Sequence, residues 1–229
     1  MQGFSGTGMP QRYGLSAWIV NAALIFGISV LLPAAPAWAE TKRIVVLGDS
    51  LTAGLGLDAR DAFPAKLEAA LKAQGRDVKV IGAGVSGDTT AGGRTRLAWA
   101  LSSAGANGPG GVIVELGAND GLRALDPKAT QANLAAILAE LKNRKIPALL
   151  TGMRAPPNLG AEYEVQFNTI FPLLAVQHDA IFYPFFLDGV AAVPALNQDD
   201  AIHPNAKGVE EIVRRILPYV LRLLDKPRG

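Results

Sequence analysis

From residue 43 onward the chain alternates short apolar runs, rich in β-branched residues, with longer stretches in which apolar positions recur every three or four residues. The short runs are Arg43 to Leu47, Val78 to Ile81, Gly111 to Leu116, Ala148 to Thr151 and Ala180 to Tyr183. Their length and their flanking turn residues predict strands. Of the longer stretches, the one after Asp126-Pro127 is the clearest helix. It carries Leu134, Ile137, Leu138 and Leu141 on one face, with Asp126 as cap, Pro127 in the first turn and Lys142, Arg144 and Lys145 at the end, where the helix dipole favours cations. A second helix is expected over Glu162 to Gln177 with a kink at Pro172, and a last one from near Pro204 to about Leu224 with Pro218 as a candidate break.

Strands alternating with helices are the pattern of βαβ units, and right-handed crossovers then give a parallel sheet with helices on both faces. The order of the strands cannot be read from this pattern, and no internal repeat or low-complexity tract is present. Ligands of open parallel sheets bind beyond the carboxyl ends of the strands, so the loops leaving the five runs are where chemistry is expected.

Ahead of this pattern, Arg12 precedes an apolar run from Leu15 to Leu32, followed by Ala37-Trp38-Ala39. Charge, hydrophobe and Ala-x-Ala, in that order, predict a secretory leader over residues 1–39 and one domain over 40–229, exported to the periplasm or beyond. An uncleaved anchor is the alternative, because the run approaches the ~20 residues that span a bilayer. Asn21 within the run and the Ala-x-Ala site favour cleavage, and with it no stable membrane anchor.

Composition narrows the chemistry. Of 229 residues, 49% are hydrophobic and 18% charged, with a net charge of +2 and no Lys/Arg block, which gives no sign of nucleic acid or an anionic membrane surface as partner. Cysteine is absent, which excludes disulfides, thiolate metal sites and a cysteine nucleophile.

At the strand ends stand Gly48-Asp49-Ser50-Leu51, then Ser86-Gly87-Asp88-Thr89, Gly117-Ala118-Asn119-Asp120, Met153-Arg154 and Asp199-Asp200-Ala201-Ile202-His203-Pro204. A hydroxyl, a carboxylate, an imidazole and hydrogen-bond donors on one rim are the inventory of acyl transfer. Only two histidines exist. His178 belongs to the end of a helix leading into the fifth strand, the wrong edge of the sheet, which leaves His203. Asp200, three residues earlier, can reach one ring nitrogen within a single turn and leave the other for Ser50; Asp199 is the less favoured neighbour. Gly87, through its backbone N–H, and Asn119, through its amide, can hold an oxyanion. Each also has a plain structural reading: Ser50 or Asp200 as a helix cap, Gly87 and Asn119 as turn residues. Beside the oxyanion position, Ala118, Leu122, Met153, Arg154, Ala155 and Pro156 are candidates for the substrate wall.

Two other motifs compete. Gly82-x-Gly84-x-x-Gly87 after a strand matches a dinucleotide fingerprint, with Glu115 as the ribose-binding acid. Gly92-Gly93 where the phosphate-binding helix should begin, and a second rather than first strand, argue against an oxidoreductase. The nucleophile elbow of lipases fails because Thr52 stands where its second glycine belongs. A metal at Asp199, Asp200 and His203 lacks a further histidine or cysteine at ligand spacing.

The four blocks around Ser50, Gly87, Asn119 and His203, in that order and across the whole mature chain, resemble the GDSL or SGNH hydrolases, most nearly their bacterial thioesterase I, lysophospholipase and arylesterase branch. Met153-Arg154-Ala155-Pro156-Pro157-Asn158 and Pro184-Phe185-Phe186 are similar to further stretches of that branch. The resemblance implies an α/β class fold, a three-layer α/β/α sandwich with a five-stranded parallel sheet in flavodoxin-like order. It implies Ser50 as nucleophile, His203 as base and Asp200 as its orienter, with the Ser50 and Gly87 N–H groups and the Asn119 amide as oxyanion hole. The expectation is a monomeric serine esterase that needs neither cofactor nor metal, acting on a small-molecule ester or lipid: lysophospholipid, aryl and short acyl esters, and thioesters in vitro. A non-catalytic periplasmic binder of acyl chains or carbohydrate on the same fold is the non-enzymatic alternative.

Overall fold

The first strand, β1 (Lys42–Gly48), carries Ile44, Val45, Val46 and Leu47, all fully buried. An unbroken apolar run, rather than an alternating one, is what a strand covered on both faces requires. In this computed structural model, which describes residues 41–228, β1 lies inside a five-stranded parallel sheet of order β2-β1-β3-β4-β5. The other strands are β2 (Val78–Gly84), β3 (Gly111–Glu115), β4 (Ala148–Thr151) and β5 (Ile181–Tyr183). This is the flavodoxin-like order that the resemblance implied. The leader expected over residues 1–39 lies outside the described residues.

Among the described residues eight α-helices accompany the sheet: α1 (Ser50–Ala53), α2 (Phe63–Ala73), α3 (Thr90–Ser102), α4 (Ala118–Leu122), α5 (Pro127–Asn143), α6 (Ala161–Asn168), α7 (Ile170–Gln177) and α8 (Ala206–Asp225). Helices α2 and α8 pack together on one face, and α3, α5 and α7 on the other. The crossovers from β1 and from β2 run in opposite directions, so the crevice between the ends of β1 and β3 is the topological switch point where such sheets place ligands. Ser50 follows β1 and Asn119 follows β3. Edge strand β2 alternates exposed and buried positions, and Glu68 on α2 covers its rim by accepting from the Val80 N–H (2.8 Å) and pairing with Lys79.

Several boundaries differ from expectation. β2 continues three residues past Ile81, because β1 pairs with it as far as Gly48 to Gly84. The helix expected over 162–177 is two segments interrupted at Thr169, one turn before Pro172. Proline has no N–H for the carbonyl four residues back, here that of Asn168, and its ring pushes that carbonyl aside. Pro218, by contrast, does not break α8. Val209, Ile212, Val213 and Ile216 before it, and Val220, Leu223 and Leu224 after it, are all buried, so packing on both sides holds the helix straight through a residue that costs about 3 kcal/mol in a bare helix. Pro218 faces solvent, where water can take up the carbonyl it frees. The helix begins near Pro204, as expected: Asn205 is its cap, its side chain accepting from the Gly208 N–H, while Pro204 bridges to Asn197.

The stretch 184–205 between β5 and α8 has one short 3₁₀ turn, Pro194–Leu196, and is otherwise irregular. Three side-chain amides hold it to itself. Asn197 donates to the Val190 and Val193 carbonyls, Asn205 to those of Ala195 and Asn197, and Gln198 to those of Pro204 and, outside the stretch, Leu55.

Candidate active site

At the end of β1 the chain turns into α1, and Asp49, not Ser50, caps this helix: Asp49 Oδ1 accepts from the Leu51 N–H at 3.0 Å. The capping role that competed for Ser50 is therefore taken by its neighbour, leaving the Ser50 hydroxyl free for another partner. That partner is His203, whose Nε2 lies 2.8 Å from Ser50 Oγ. On the other side of the ring, His203 Nδ1 lies 2.6 Å from Asp200 Oδ2.

The turn that carries the imidazole is built by the same aspartate. Asp200 Oδ1 accepts from the backbone N–H groups of Ile202 and His203, both at 2.9 Å, and so closes the turn while Oδ2 holds the ring. These bonds from the His203 backbone, the His203 ring and the Ile202 backbone bring the Asp200 carboxyl down to about 2. A carboxylate can only accept, so Nδ1 carries the proton and Nε2 is left as acceptor for the serine O–H. Asp199 is not in this arrangement. His178 caps the C-terminus of α7 at the start of β5, and burial, with Lys142 nearby, lowers its pKa.

Gly87 adopts φ +83°, a conformation suited to glycine, and its carbonyl accepts from the Arg123 guanidinium at 2.8 Å. Among the described residues no group accepts from the Gly87 N–H or from the Ser50 N–H at the start of α1. Asn119, in the first turn of α4, donates from Nδ2 to Asp49 Oδ2 (3.0 Å) and to the Asp88 carbonyl (2.9 Å). Both amide hydrogens thus have partners within the protein, and an oxyanion would have to share one of them.

Beneath these groups lies a carboxyl pair whose members nothing along the chain connects. β1 and β3 pair Gly48 with Glu115, so Glu115 comes up against Asp49 and is fully buried. Its Oε2 accepts from Thr52 Oγ1 (2.6 Å) and the Asp49 N–H, while Oε1 has no hydrogen-bond partner. Burial and the adjacent Asp49 charge push the Glu115 pKa well up. Burial likewise pushes Asp49 to about 6, against the opposing hydrogen bonds from Leu51 and Asn119. Glu115, fully buried, is sealed from any ribose. The second glycine of the competing fingerprint, Gly84, is spent on the contact between β2 and α1, where a Cβ would stand 2.4 Å from the Ala53 nitrogen.

The serine and the imidazole open onto a cavity of about 850 Å³ that is also lined by Gly87 and Asn119 and by all six wall candidates, Ala118, Leu122, Met153, Arg154, Ala155 and Pro156. The loops after β4 and β5 are zipped together by the Gly152 N–H to the Tyr183 carbonyl and the Phe186 N–H to the Gly152 carbonyl, which brings Arg154 to 4.6 Å above the Phe185 ring. Phe185, Leu187, Ala191, Ala192 and Ile202 also line the cavity. They come from the irregular stretch 184–205, where no hydrophobic period marks which side chains face inward. Among the described residues no cluster of three or more histidine, aspartate or glutamate side chains is arranged to hold a metal.

Known proteins share this arrangement of chain and fold. Residues 46–210 match the model of the GDSL-like lipase/acylhydrolase family. Esterase TesA of Pseudomonas aeruginosa is 37% identical over 81% of this chain and 91% of its own length. Thioesterase 1/protease 1/lysophospholipase L1 of Escherichia coli K12 is 40% identical over 80% of this chain and 84% of its own. Among solved structures, AlinE4, described as an SGNH-hydrolase family esterase, superposes with a TM-score of 0.68 at 51% identity, covering 81% of this chain and 97% of that one. The chain belongs to the GDSL-like lipase/acylhydrolase family and is an SGNH hydrolase.

Proposed function

We propose that this enzyme cleaves carboxylic esters through an acyl-enzyme on Ser50, with His203 as general base and acid and Asp200 as the group that fixes its tautomer. The observation that carries the reading is the continuous chain from Ser50 Oγ through His203 Nε2 and Nδ1 to Asp200 Oδ2, with links of 2.8 and 2.6 Å. As Oγ attacks the acyl carbon, Nε2 takes its proton, and the imidazolium is stabilised by the Asp200 carboxylate. The tetrahedral oxyanion is met by the two unpaired N–H groups of Ser50 and Gly87, and by the Asn119 amide as one of its hydrogens turns from Asp49 or Asp88 toward the new charge. Collapse expels the alcohol, protonated from Nε2. Water then enters, is deprotonated by the same nitrogen and releases the acid.

The wall residues Ala118, Leu122, Met153, Ala155 and Pro156 are mostly apolar, which suits an acyl chain or aryl group, with Arg154 at the edge. Relatives named as an arylesterase and as a thioesterase and lysophospholipase support lysophospholipid, aryl and short acyl esters as substrates, and thioesters in vitro. The chain is further proposed to work as a monomer, without a cofactor, outside the cytoplasm after loss of residues 1–39. An exported protein whose N-terminal sequence began at Met1 would contradict the cleavage.

The test is Ser50→Ala assayed on 4-nitrophenyl butyrate, with mass spectrometry of the wild type quenched during turnover. Hydrolysis should fall by about 10⁵-fold or more, and the acyl adduct should map to Ser50. Undiminished turnover by Ser50→Ala would overturn the mechanism. A stoichiometric binder with no turnover in the wild type would instead favour the non-enzymatic alternative.

A further inference from the structure

Arg96 stands in the middle of α3 with its side chain only 15% exposed and does not line the cavity. Its guanidinium is spread over three acceptors from three parts of the chain. Nε donates to Asp88 Oδ2, one terminal nitrogen to the Ala83 carbonyl near the end of β2, and the other to the Gly48 carbonyl at the end of β1. Two of these, Gly48 and Asp88, lie within two residues of an oxyanion donor. Gly48 is two residues before Ser50, and Asp88 directly follows Gly87. The Asp88 carbonyl is one of the two acceptors that hold the Asn119 amide.

The helix is shaped to admit this contact. A Cβ at Gly92 would stand 2.6 Å from Asp88 Oδ1, so only glycine at this position leaves the carboxylate its place beside the helix. That accounts for a helix start which, by its sequence, is a poor one. A planar fork can serve three acceptors in fixed directions, whereas the single ammonium of lysine on a flexible stem cannot.

We propose that Arg96 is a positioning residue of the oxyanion hole, setting the relative placement of the Ser50, Gly87 and Asn119 donors through Gly48 and Asp88 without touching substrate. The proposal rests on the acyl-enzyme reading above. It differs from a purely structural role in one consequence: loss of Arg96 removes transition-state stabilisation that Asn119 also supplies, so the two losses overlap.

The experiment measures kcat and KM on 4-nitrophenyl butyrate for Arg96→Lys and for Asp88→Asn, each alone and on an Asn119→Ala background, with thermal melts of every variant. Arg96→Lys should lower kcat about 10- to 100-fold with KM within about twofold, as expected for an interaction made in the transition state. On the Asn119→Ala background its further loss should be no more than about threefold, since groups acting as one unit are not additive. Asp88→Asn keeps the shape and weakens the ion pair, and should show the same pattern at about three- to tenfold; it carries the test alone if Arg96→Lys does not fold. Equal losses on both backgrounds, a change confined to KM, or a loss that follows only the folded fraction would overturn the role of Arg96. If Asn119→Ala itself left kcat unchanged, the oxyanion reading would fall and this proposal with it.

Discussion

Ser50 and Asn119 stand on the ends of β1 and β3, over a fully buried Glu115 and an Asp49 that no solvent reaches, whereas Asp200 and His203 stand on a turn where the Asp200 side chain is 45% exposed. The first pair is held by sheet register and by helices packed against it. The second is held by three hydrogen bonds to one exposed carboxylate. Nucleophile and oxyanion donors are thus fixed from below by the core, and the base is delivered from outside by a turn that the Asp200 carboxylate closes. Activity and stability should separate in the second half of the site and travel together in the first.

The sharpest way to break this contrast is Asp200→Asn, which keeps the shape but presents the wrong tautomer to Ser50; kcat should fall by up to about 10⁴-fold. The melting temperature at pH 7 should move by less than about 2 °C, since exposed pairs contribute little. A large loss of stability would show that the turn is part of the core after all. Asn119→Ala comes next, with kcat lowered about 10²- to 10³-fold. Here stability should fall as well, because the buried Asp49 carboxylate loses one of its few donors. A variant as stable as the wild type would place Asn119 with the exposed half.

The smallest effect is the one that probes the buried carboxyls. Glu115, raised well above its ordinary value by burial and by Asp49, takes up a proton on folding. The folded state is therefore favoured at low pH, and that advantage is lost as pH rises from the unfolded value of about 4.3 toward the elevated folded one. Asp49, raised to about 6, acts in the same direction up to about that pH. Asp200, lowered to about 2, acts oppositely, and its contribution is lost only as pH falls from the ordinary carboxylate range toward 2. Between pH 5 and 8 the wild-type melting temperature should thus decline, and Glu115→Gln, which cannot ionise, should flatten the decline by a few degrees in calorimetric scans. A slope unchanged by the substitution would show that Glu115 is already ionised in the folded protein.

The sheet was legible from the sequence because its strands obey a simple rule: a strand buried on both faces carries an unbroken apolar run, as β1 does from Ile44 to Leu47 and β3 from Val112 to Val114. The helix carrying Leu134, Ile137, Leu138 and Leu141 was equally plain. Proline was misleading in both directions, since its effect on a helix depends on what packs beside it: the packed face of α8 overrides Pro218, while the segment around Pro172 gives way a turn earlier. The residues brought together at the site were the ones chemistry singles out, because acyl transfer admits few side-chain types and the chain offers two histidines and no cysteine. What could not be read were relations across the sheet. Nothing near Glu115 in sequence announces that parallel register sets it against Asp49, and nothing near Arg96 that its fork will reach the end of β1. The inward side chains of 184–205 escaped for another reason, having no period to betray them.

That irregular stretch has a consequence for how such a molecule can change. Asn197, Gln198 and Asn205 hold it through backbone carbonyls, a kind of fastening indifferent to which side chains those residues carry. The side chains of Leu187, Ala191, Ala192 and Ile202, which line the cavity there, take no part in the fastening. A lineage could widen, narrow or recharge that wall by single substitutions while every strap stays in place. The core that sets the nucleophile would be inherited intact, and selectivity would be free to drift around it.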